Sequence, residues 1–469
     1  MYSSTLIRVF SRLSKRDVRE LGKFVASPYF NQRQDVVRLF EYLAAHSPLK
    51  AQKVVREKLF AAIYPGETFQ IQQLRYVMSF LMNLIRKYFQ QAEFESQPIL
   101  QQQQLCQALR RRGEGSLFQK EITNWQKLQE AHPLRNTHHH YYNYQRFYEL
   151  YQFESQRSRK GDTYLQERFE ELTTFYLSNT LLHGCATLTQ QNILKKDFHL
   201  KLLPQVLAQV EQEDYSEIPA IAIYYHAYQA LKDPDNDFYF NNLKHLIHQH
   251  WQQFSENEAL DIFLIAVNYC IQRLNKGDTQ YVREAFELYR SGVENGTFLQ
   301  NGILSDHTYK NIIRLGISLK EFDWIAQFQE SYKDRLDPLT GENAYKYNLA
   351  YYHFQRSEYD LAIPLLQQVE FKDAFSNFDT RRMLLRIYYE QGEYDALESL
   401  LDSFYTYIQR QKNIGYHREN YLHLIRFVRK LLRTPTQAGR HKLRQTVEAT
   451  SRIAEREWLL QMIGGQNTN

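Results

Sequence analysis

The stretch "RSEYDLAIPLL" runs from Arg356 to Leu366, and thirty-five residues further on the chain reads "QGEYDALESLL", from Gln391 to Leu401. Tyr359 aligns with Tyr394, Leu365 with Leu400, Leu366 with Leu401 and Val369 with Phe404. A weaker copy precedes both: "KEFDWIAQF" places Phe322 thirty-seven residues before Tyr359, with Ile325, Phe328 and Tyr332 behind it. Three copies at that spacing define a repeat. In each, an aromatic-rich helical stretch leads through a short polar turn into a second stretch whose large apolar residues return every three or four positions, which predicts a helical hairpin. One hairpin cannot fold alone. Each buried Leu or Phe contributes roughly 1.5–3 kcal/mol, while ordering costs about 1–2 kcal/mol per residue, so such units gain stability only by stacking. The pattern therefore predicts an all-α fold: a superhelical stack of antiparallel helix hairpins preceded by a helical N-terminal part.

Composition agrees with long helices. The 469 residues contain only 17 Gly and 11 Pro against 35 Tyr and 29 Phe, too few turn residues for a many-stranded fold. Cys106, Cys185 and Cys270 are widely spaced and odd in number. They read as free thiols of a reducing compartment, and a cytoplasmic protein is expected. Apolar runs such as Ile262 to Val267 are far too short to span a bilayer. The start, "MYSSTLIRVFSRLSKR", lacks the apolar core of a secretory signal. It is basic and Ser-rich like a mitochondrial presequence, yet the helical pattern runs on through Val18, Leu21 and Val25.

Four segments are expected. Residues 1–132 form an N-terminal helical region, 133–305 a divergent hairpin array, 306–410 the clear repeats and 411–469 basic C-terminal helices. In the first, "SPYFNQRQ" reads as a stop and restart: Pro28 disfavours helix at Ser27, and Asn31 with Gln34 forms a capping-box pattern. Val36, Leu39, Phe40 and Leu43, then Leu74, Val77, Met78, Leu81, Leu84, Ile85 and Tyr88, fall at the spacing of buried helical stripes. "AHPLRN" at 131–136 marks the boundary of this front part. Beyond it, Tyr144, Phe147, Tyr148 and Tyr151 line one helix side. Breaks recur at Lys160–Asp162, Pro204, Pro219, Asp233–Asp237 and Lys276–Asp278, and each proline suits a first helical turn.

Residues 306–410 resemble tetratricopeptide repeats, through Tyr359, Ala362 and Leu366 in one copy and Gly392 and Tyr394 in the next. Large residues at Leu385 and Leu397, and Pro364 early in its helix, depart from the family pattern. The stretch with Tyr281, Ala285, Phe286 and Tyr289 is a looser relative, and the chain as a whole resembles, mainly through "SPYFN", a group of bacterial helical proteins, which implies no activity. The repeat resemblance implies that the first helix of each hairpin lines a concave groove. Its groove-facing positions are Lys310 and Arg314, then Tyr347 and Tyr351, then Arg382, Arg386 and Tyr389. Such a surface is basic and aromatic, and suits an extended acidic peptide. The Asn residues of the family's carboxylate clamp are missing. The expected function is a non-catalytic protein-interaction scaffold or adaptor with no cofactor.

Two other classes compete. Residues 1–60 and 416–456 each carry a net +7 and the rest −9. Basic ends suit an anionic partner or self-association with the acidic middle, or are solvated helix faces. Arg426, Arg429, Lys430 and Arg433, beside Tyr421, Ile425, Val428 and Leu432, suit nucleic acid, although the acidic middle opposes a long polyanion. An enzyme would need residues that meet only in the fold. Linear signals for chemistry fail one by one. Adjacent His138, His139 and His140 diverge by about 100° on a helix, and His245, His248 and His250 lack further ligands. "DPDNDF" at 233–238 lacks the Gly and Glu of a calcium loop and reads as a helix start capped by Asp237. "RRRGEGS" at 110–116 lacks the Lys-Ser/Thr of a phosphate loop and reads as a basic helix end.

Overall fold

The computed structural model describes residues 4–49, 54–157, 163–194, 196–369, 371, 374–411, 415 and 417–465. The chain forms two compact units, residues 1–176 and 177–469. The first holds α1 (Thr5–Phe10), α2 (Lys15–Ala26), α3 (Gln34–Ala45), α4 (Arg56–Ile63), α5 (Ile71–Glu95), α6 (Pro98–Arg111), α7 (Gly115–Ala131), α8 (Thr137–Arg157) and the start of α9 (Leu165–Leu194). The second holds the end of α9, then α10 (Leu203–Gln212), α11 (Pro219–Lys232), α12 (Asp237–His250), α13 (Glu256–Asn275) and α14 (Tyr281–Glu294). A two-stranded antiparallel turn of β1 (Leu299–Gln300) and β2 (Ile303–Leu304) follows. Then come α15 (Asp306–Ser318), α16 (Phe322–Tyr332), α17 (Gly341–Gln355), α18 (Tyr359–Gln368), α19 (Ala374–Gln391), α20 (Tyr394–Arg410), α21 (His417–Leu432), α22 (Gln437–Ala449) and α23 (Arg456–Ile463). The fold is all-α.

The repeated phrase has one backbone meaning. After α15, α17 and α19 the chain places Lys320, Ser357 and Gly392 at φ 62°, 58° and 76°. The next residue, Glu321, Glu358 or Glu393, is the N-cap of the following helix. Its N–H reaches back five residues, to the carbonyl of Gly316 (2.9 Å), His353 (2.9 Å) or Tyr388 (2.9 Å). This is the left-handed C-terminal turn that satisfies carbonyls a helix would otherwise leave bare. The chain then re-enters helix at once, on Phe322, Tyr359 and Tyr394. Gly277 with Asp278 makes the same turn after α13 (Asp278 N–H to Arg273 carbonyl, 3.1 Å). So does "RGEG" after α6, where Gly113 sits at φ 76° and the Glu114 N–H reaches the Leu109 carbonyl at 3.0 Å. The glycines of "RRRGEGS" thus serve a helix–helix turn.

In the second unit, helices joined by these turns pack along each other: α13 on α14, α15 on α16, α17 on α18 and α19 on α20. The leading helices also touch, α15 on α17 and α17 on α19. Ala362 and Leu366 of α18, and Leu397 and Leu401 of α20, are buried at matching positions. Leu385, where the repeat pattern wants a small residue, is fully buried. Pro364 lies inside α18.

In the first unit, the two forecast stripes of α3 and α5 meet the buried faces of α1, α2 and α4 in one core, with Tyr88 partly buried at its edge. A second core joins Cys106, Leu109, Phe118, Ile122, Trp125 and Phe153. Because α8 packs on α6 and α7, and Arg110 on α6 pairs with the buried Glu149 of α8 (2.6 Å), the loop at 132–136 lies within this unit. The units divide inside α9 rather than at 132/133. Three tyrosines of the α8 stripe, Tyr144, Tyr148 and Tyr151, surround the Arg168 guanidinium at 5.6, 4.9 and 5.4 Å.

Two local expectations are corrected. Asn31 makes no capping box; its side chain accepts from Arg33 N–H (3.1 Å) and donates to the Val25 carbonyl (2.9 Å), bracing the turn, while Arg33 precedes α3. Capping boxes stand instead at Ser14 with Asp17 and Ser255 with Glu258. The cap of α12 is Asn236, one residue earlier than expected, because Asp237 is drawn to Tyr269 (3.0 Å) and Arg273 (3.7 Å). Pro204 and Pro219 do sit in first helical turns. The break expected at Lys160–Asp162 lies outside the described residues.

Candidate functional site

Helices α15, α17 and α19 bring the anticipated residues to one place. The Arg314 guanidinium donates to the Tyr347 hydroxyl (3.1 Å) and to Asp379 Oδ2 (2.8 Å), and lies 5.1 Å from the Tyr351 ring centre. Lys310 Nζ stands 5.8 Å from the Tyr347 ring. Arg382 binds Asp379 Oδ1 through Nε at 2.8 Å and Nη2 at 2.7 Å. Tyr347 also donates its hydroxyl to Asp379. Tyr389 meets the edge of Trp458 with ring centres 5.4 Å apart.

The cluster is largely neutralised from within, which the basic groove of the sequence reading did not anticipate. Besides Asp379 it contains Glu455 and Glu390. Glu455 accepts from Arg382 Nη1 and from Arg386 Nη1 (2.8 Å). Glu390 accepts from Arg386 Nη2 (3.5 Å), from the Tyr359 hydroxyl and from Trp458 Nε1 (2.7 Å). Tyr347 is buried, and the Arg382 side chain is only 13% exposed, so neither offers an open surface. Arg314 and Arg386 are more accessible, at 39% and 24%.

Electrostatics follow from that arrangement. Burial would raise the Asp379 pKa, but Arg382, the Tyr347 hydroxyl and Arg314 outweigh it and hold the carboxyl below its ordinary value. Burial would likewise weaken the Arg382 charge, and Asp379 with Glu455 more than restores it. The Tyr359 phenol is pushed up to about 12 by burial and then by Glu390. Two buried donors, Arg314 Nε and Arg386 Nε, have no acceptor among the described residues.

Glu455 reaches the arginines by way of the connection between α22 and α23. The Ala454 N–H donates to the Asn420 carbonyl (3.2 Å), His423 Nδ1 meets the Arg452 carbonyl (2.7 Å) and Arg452 pairs with Glu419 (3.1 Å), so the segment lies along α21. Glu455 itself is left-handed, at φ 55° and ψ 38°, a conformation that costs a side chain roughly 1–2 kcal/mol. Asp379 and Glu390 were readable, three residues before Arg382 and four after Arg386 on one helix. Glu455, 73 and 69 residues from its two arginines in sequence, left no local signal.

Other candidates do not assemble. His140 turns to Glu171 (2.8 Å), His139 is pressed inward and its pKa pushed down to about 3 by burial and then by His140, and His138 is exposed. His245 and His248 are exposed too. Among the described residues no group of three or more His, Cys, Asp or Glu could hold a metal. Burial pushes the Cys106 thiol up to about 12, and those of Cys185 and Cys270 upward as well. A cleft of about 710 Å³ between α9, α10 and α11 is lined, among the described residues, by one acid, Glu211, already bound by Tyr225 (3.2 Å) and Gln229 (3.1 Å). Among the described residues no helix is long and apolar enough to cross a membrane. No protein-family model, curated protein or solved structure matches this chain.

Proposed function

We propose that the second unit is a tetratricopeptide-like stack of helix hairpins, and that the protein acts without catalysis as an interaction scaffold whose groove takes an acidic peptide segment in the cytoplasm. One observation supports the reading above others: a carboxylate already sits between Arg382 and Arg386, that of Glu455. Paired guanidinium groups bind carboxylates with directional, charge-assisted hydrogen bonds. Tyr351 and Tyr389 add partly covered aromatic area beside them. The test is a photo-crosslinking amino acid placed at Tyr351 in the full chain, with captured peptides sequenced by mass spectrometry. Segments rich in Asp and Glu, lost when Arg386→Gln is added, are the expected result. Crosslinks to neutral or basic segments, unchanged by Arg386→Gln, overturn it. Charge reversal at Arg382 is the wrong variant, because it sets a new carboxylate against Asp379 and Glu455.

A second reading, nucleic-acid binding, has one observation in its favour. Arg426 and Lys430, one turn apart on α21, and Arg433, just past its end, are exposed and make no ion pair within the described residues. Arg429 is instead tied to Asp402. Binding through several phosphates would weaken by orders of magnitude between about 50 and 200 mM salt. RNA affinity insensitive to that change, or to Arg426→Gln/Lys430→Gln, removes this reading.

A further inference from the structure

Arg382 and Arg386 on α19 and Glu455 in the α22–α23 connection are far apart in sequence, yet they close on each other with opposite charges. Arg382 and Arg386 come from the leading helix of a hairpin, where nothing in the repeat pattern demands two arginines one turn apart. Their partner Glu455 is held at φ 55°, where glycine or asparagine would sit without strain. Ordinary helix entry does not need this: the caps of α2, α13, α15 and α22 are Ser or Thr in extended backbone. The strained residue is the one whose carboxylate spans both guanidinium groups. Arg386 Nε, buried beside it, still lacks an acceptor.

We infer that Glu455 is a built-in occupant of the groove's carboxylate site, and that a partner's Asp or Glu side chain binds by taking its place between Arg382 and Arg386. The inference rests on the proposed groove function. It adds the subsite, the ligand group and the expectation that the resting chain binds more weakly than one lacking the Glu455 carboxylate. Exchange needs only the turn at Ala454–Glu455 to relax to an ordinary backbone conformation. The buried faces of α21, α22 and α23, including Trp458, Leu459 and Met462, stay packed. The incoming carboxylate replaces one carboxylate by another, so the arginines are compensated in both end states, and Asp379 and Glu390 stay beside them while the turn is open. In the resting chain the site is free only for the fraction of time that the turn is open, and apparent affinity falls by that fraction.

The test uses full-length protein and a fluorescein-labelled hexaglutamate peptide at physiological ionic strength, read by fluorescence anisotropy, with hexaglutamine as control. Glu455→Gly removes the competing carboxylate and relieves the left-handed strain, so the variant is expected to fold; circular dichroism and a melting curve check this. Glu455→Asn, also tolerant of that backbone, is the second variant. The expected result is hexaglutamate binding at least about tenfold tighter in both variants than in wild type, abolished by adding Arg386→Gln, with no hexaglutamine binding. Equal affinity of wild type and both variants, still lost with Arg386→Gln, overturns the inference and leaves the groove reading standing. Binding that ignores Arg386, or no binding by any chain, overturns both.

Discussion

The guanidinium of Arg314 on α15 and the carboxylate of Asp379 on α19 meet at 2.8 Å across 65 positions of sequence, with the Tyr347 hydroxyl from the intervening α17 bonded to the same pair. One carboxylate therefore ties the leading helices of three successive hairpins. Asp379→Asn keeps the shape and removes the charge, leaving Arg314 without a counter-ion and Arg382 with Glu455 alone. Loss of one partner from a buried ion pair costs about 3–5 kcal/mol, less here because Arg314 is partly solvated. The expected outcome is a lower melting temperature by circular dichroism, with Tyr347→Phe costing only about 1 kcal/mol. An Asp379→Asn melt indistinguishable from wild type would show that the three helices do not depend on this carboxylate.

Ser357 and Gly392 hold equivalent turns, so substitutions at them should act with opposite signs. Ser357→Gly removes a Cβ from a left-handed residue and should stabilise by a few tenths up to about 1 kcal/mol, the gain being trimmed by glycine's freedom in the unfolded chain. Gly392→Ala adds a Cβ at φ 76° and should destabilise by about 1 kcal/mol; open space around the glycine means that backbone strain alone is responsible. Paired melting curves decide it, and shifts of the same sign would refute the common turn.

These turns also explain what could be read in advance. A phrase such as "QGEYD" encodes a helix stop, a left-handed residue, a cap and a restart within five positions, so local chemistry fixes it and the hairpin is legible. The stripe residues are legible because burial of Leu39 or Leu81 follows helical period alone. The acids of the site obey no such rule. Glu455 acts through a contact between residues 382, 386 and 455, and a connection of a few polar residues after α22 carries no trace of which arginine it will meet. The same holds for the Pro-containing loop at 132–136, which the Arg110–Glu149 pair and the packing of α8 place inside the first unit rather than at its edge.

Gly316 tests the closeness of the helix pairs. It lies in the last turn of α15, and a Cβ there would run into the Ile325 side chain of α16 and lie 2.9 Å from Phe286 of α14. Glycine costs an isolated helix about 1 kcal/mol relative to alanine, so propensity alone predicts that Gly316→Ala stabilises. Overpacking of about 1–3 kcal/mol should win, and the variant should melt below wild type. A higher melting temperature would mean that α15 and α16 part easily enough to admit a methyl group.

His139 gives the first unit its own response to acid. Its ring is packed beneath Asn143 (Nδ2 to Nε2, 3.2 Å), with His140, Arg135, His132 and Arg146 as the charged or titratable groups acting on it and Glu171 held off by His140 and Asn143. Burial first, and then its electrostatic interactions with these groups, push its pKa from the ordinary 6.5 down to about 3. The unfolded chain therefore takes up a proton as pH falls below about 6.5 while the folded chain does not. Folded stability from this residue is fully present above that pH and is lost progressively as pH falls toward 3. The carboxylates with depressed pKa values in the same unit, Asp17 and Asp35 (ordinary value 3.8) and Glu20 and Glu121 (ordinary value 4.5), act only as pH falls below about 5.5, so the interval from about 6.5 to 5.5 isolates the histidine. His139→Phe keeps a ring of similar size without a titrating group. Across that interval the wild-type melting temperature of the first unit should fall and the variant's should stay nearly level. Parallel slopes for the two proteins would show that the His139 ring is protonated inside the fold as readily as outside it.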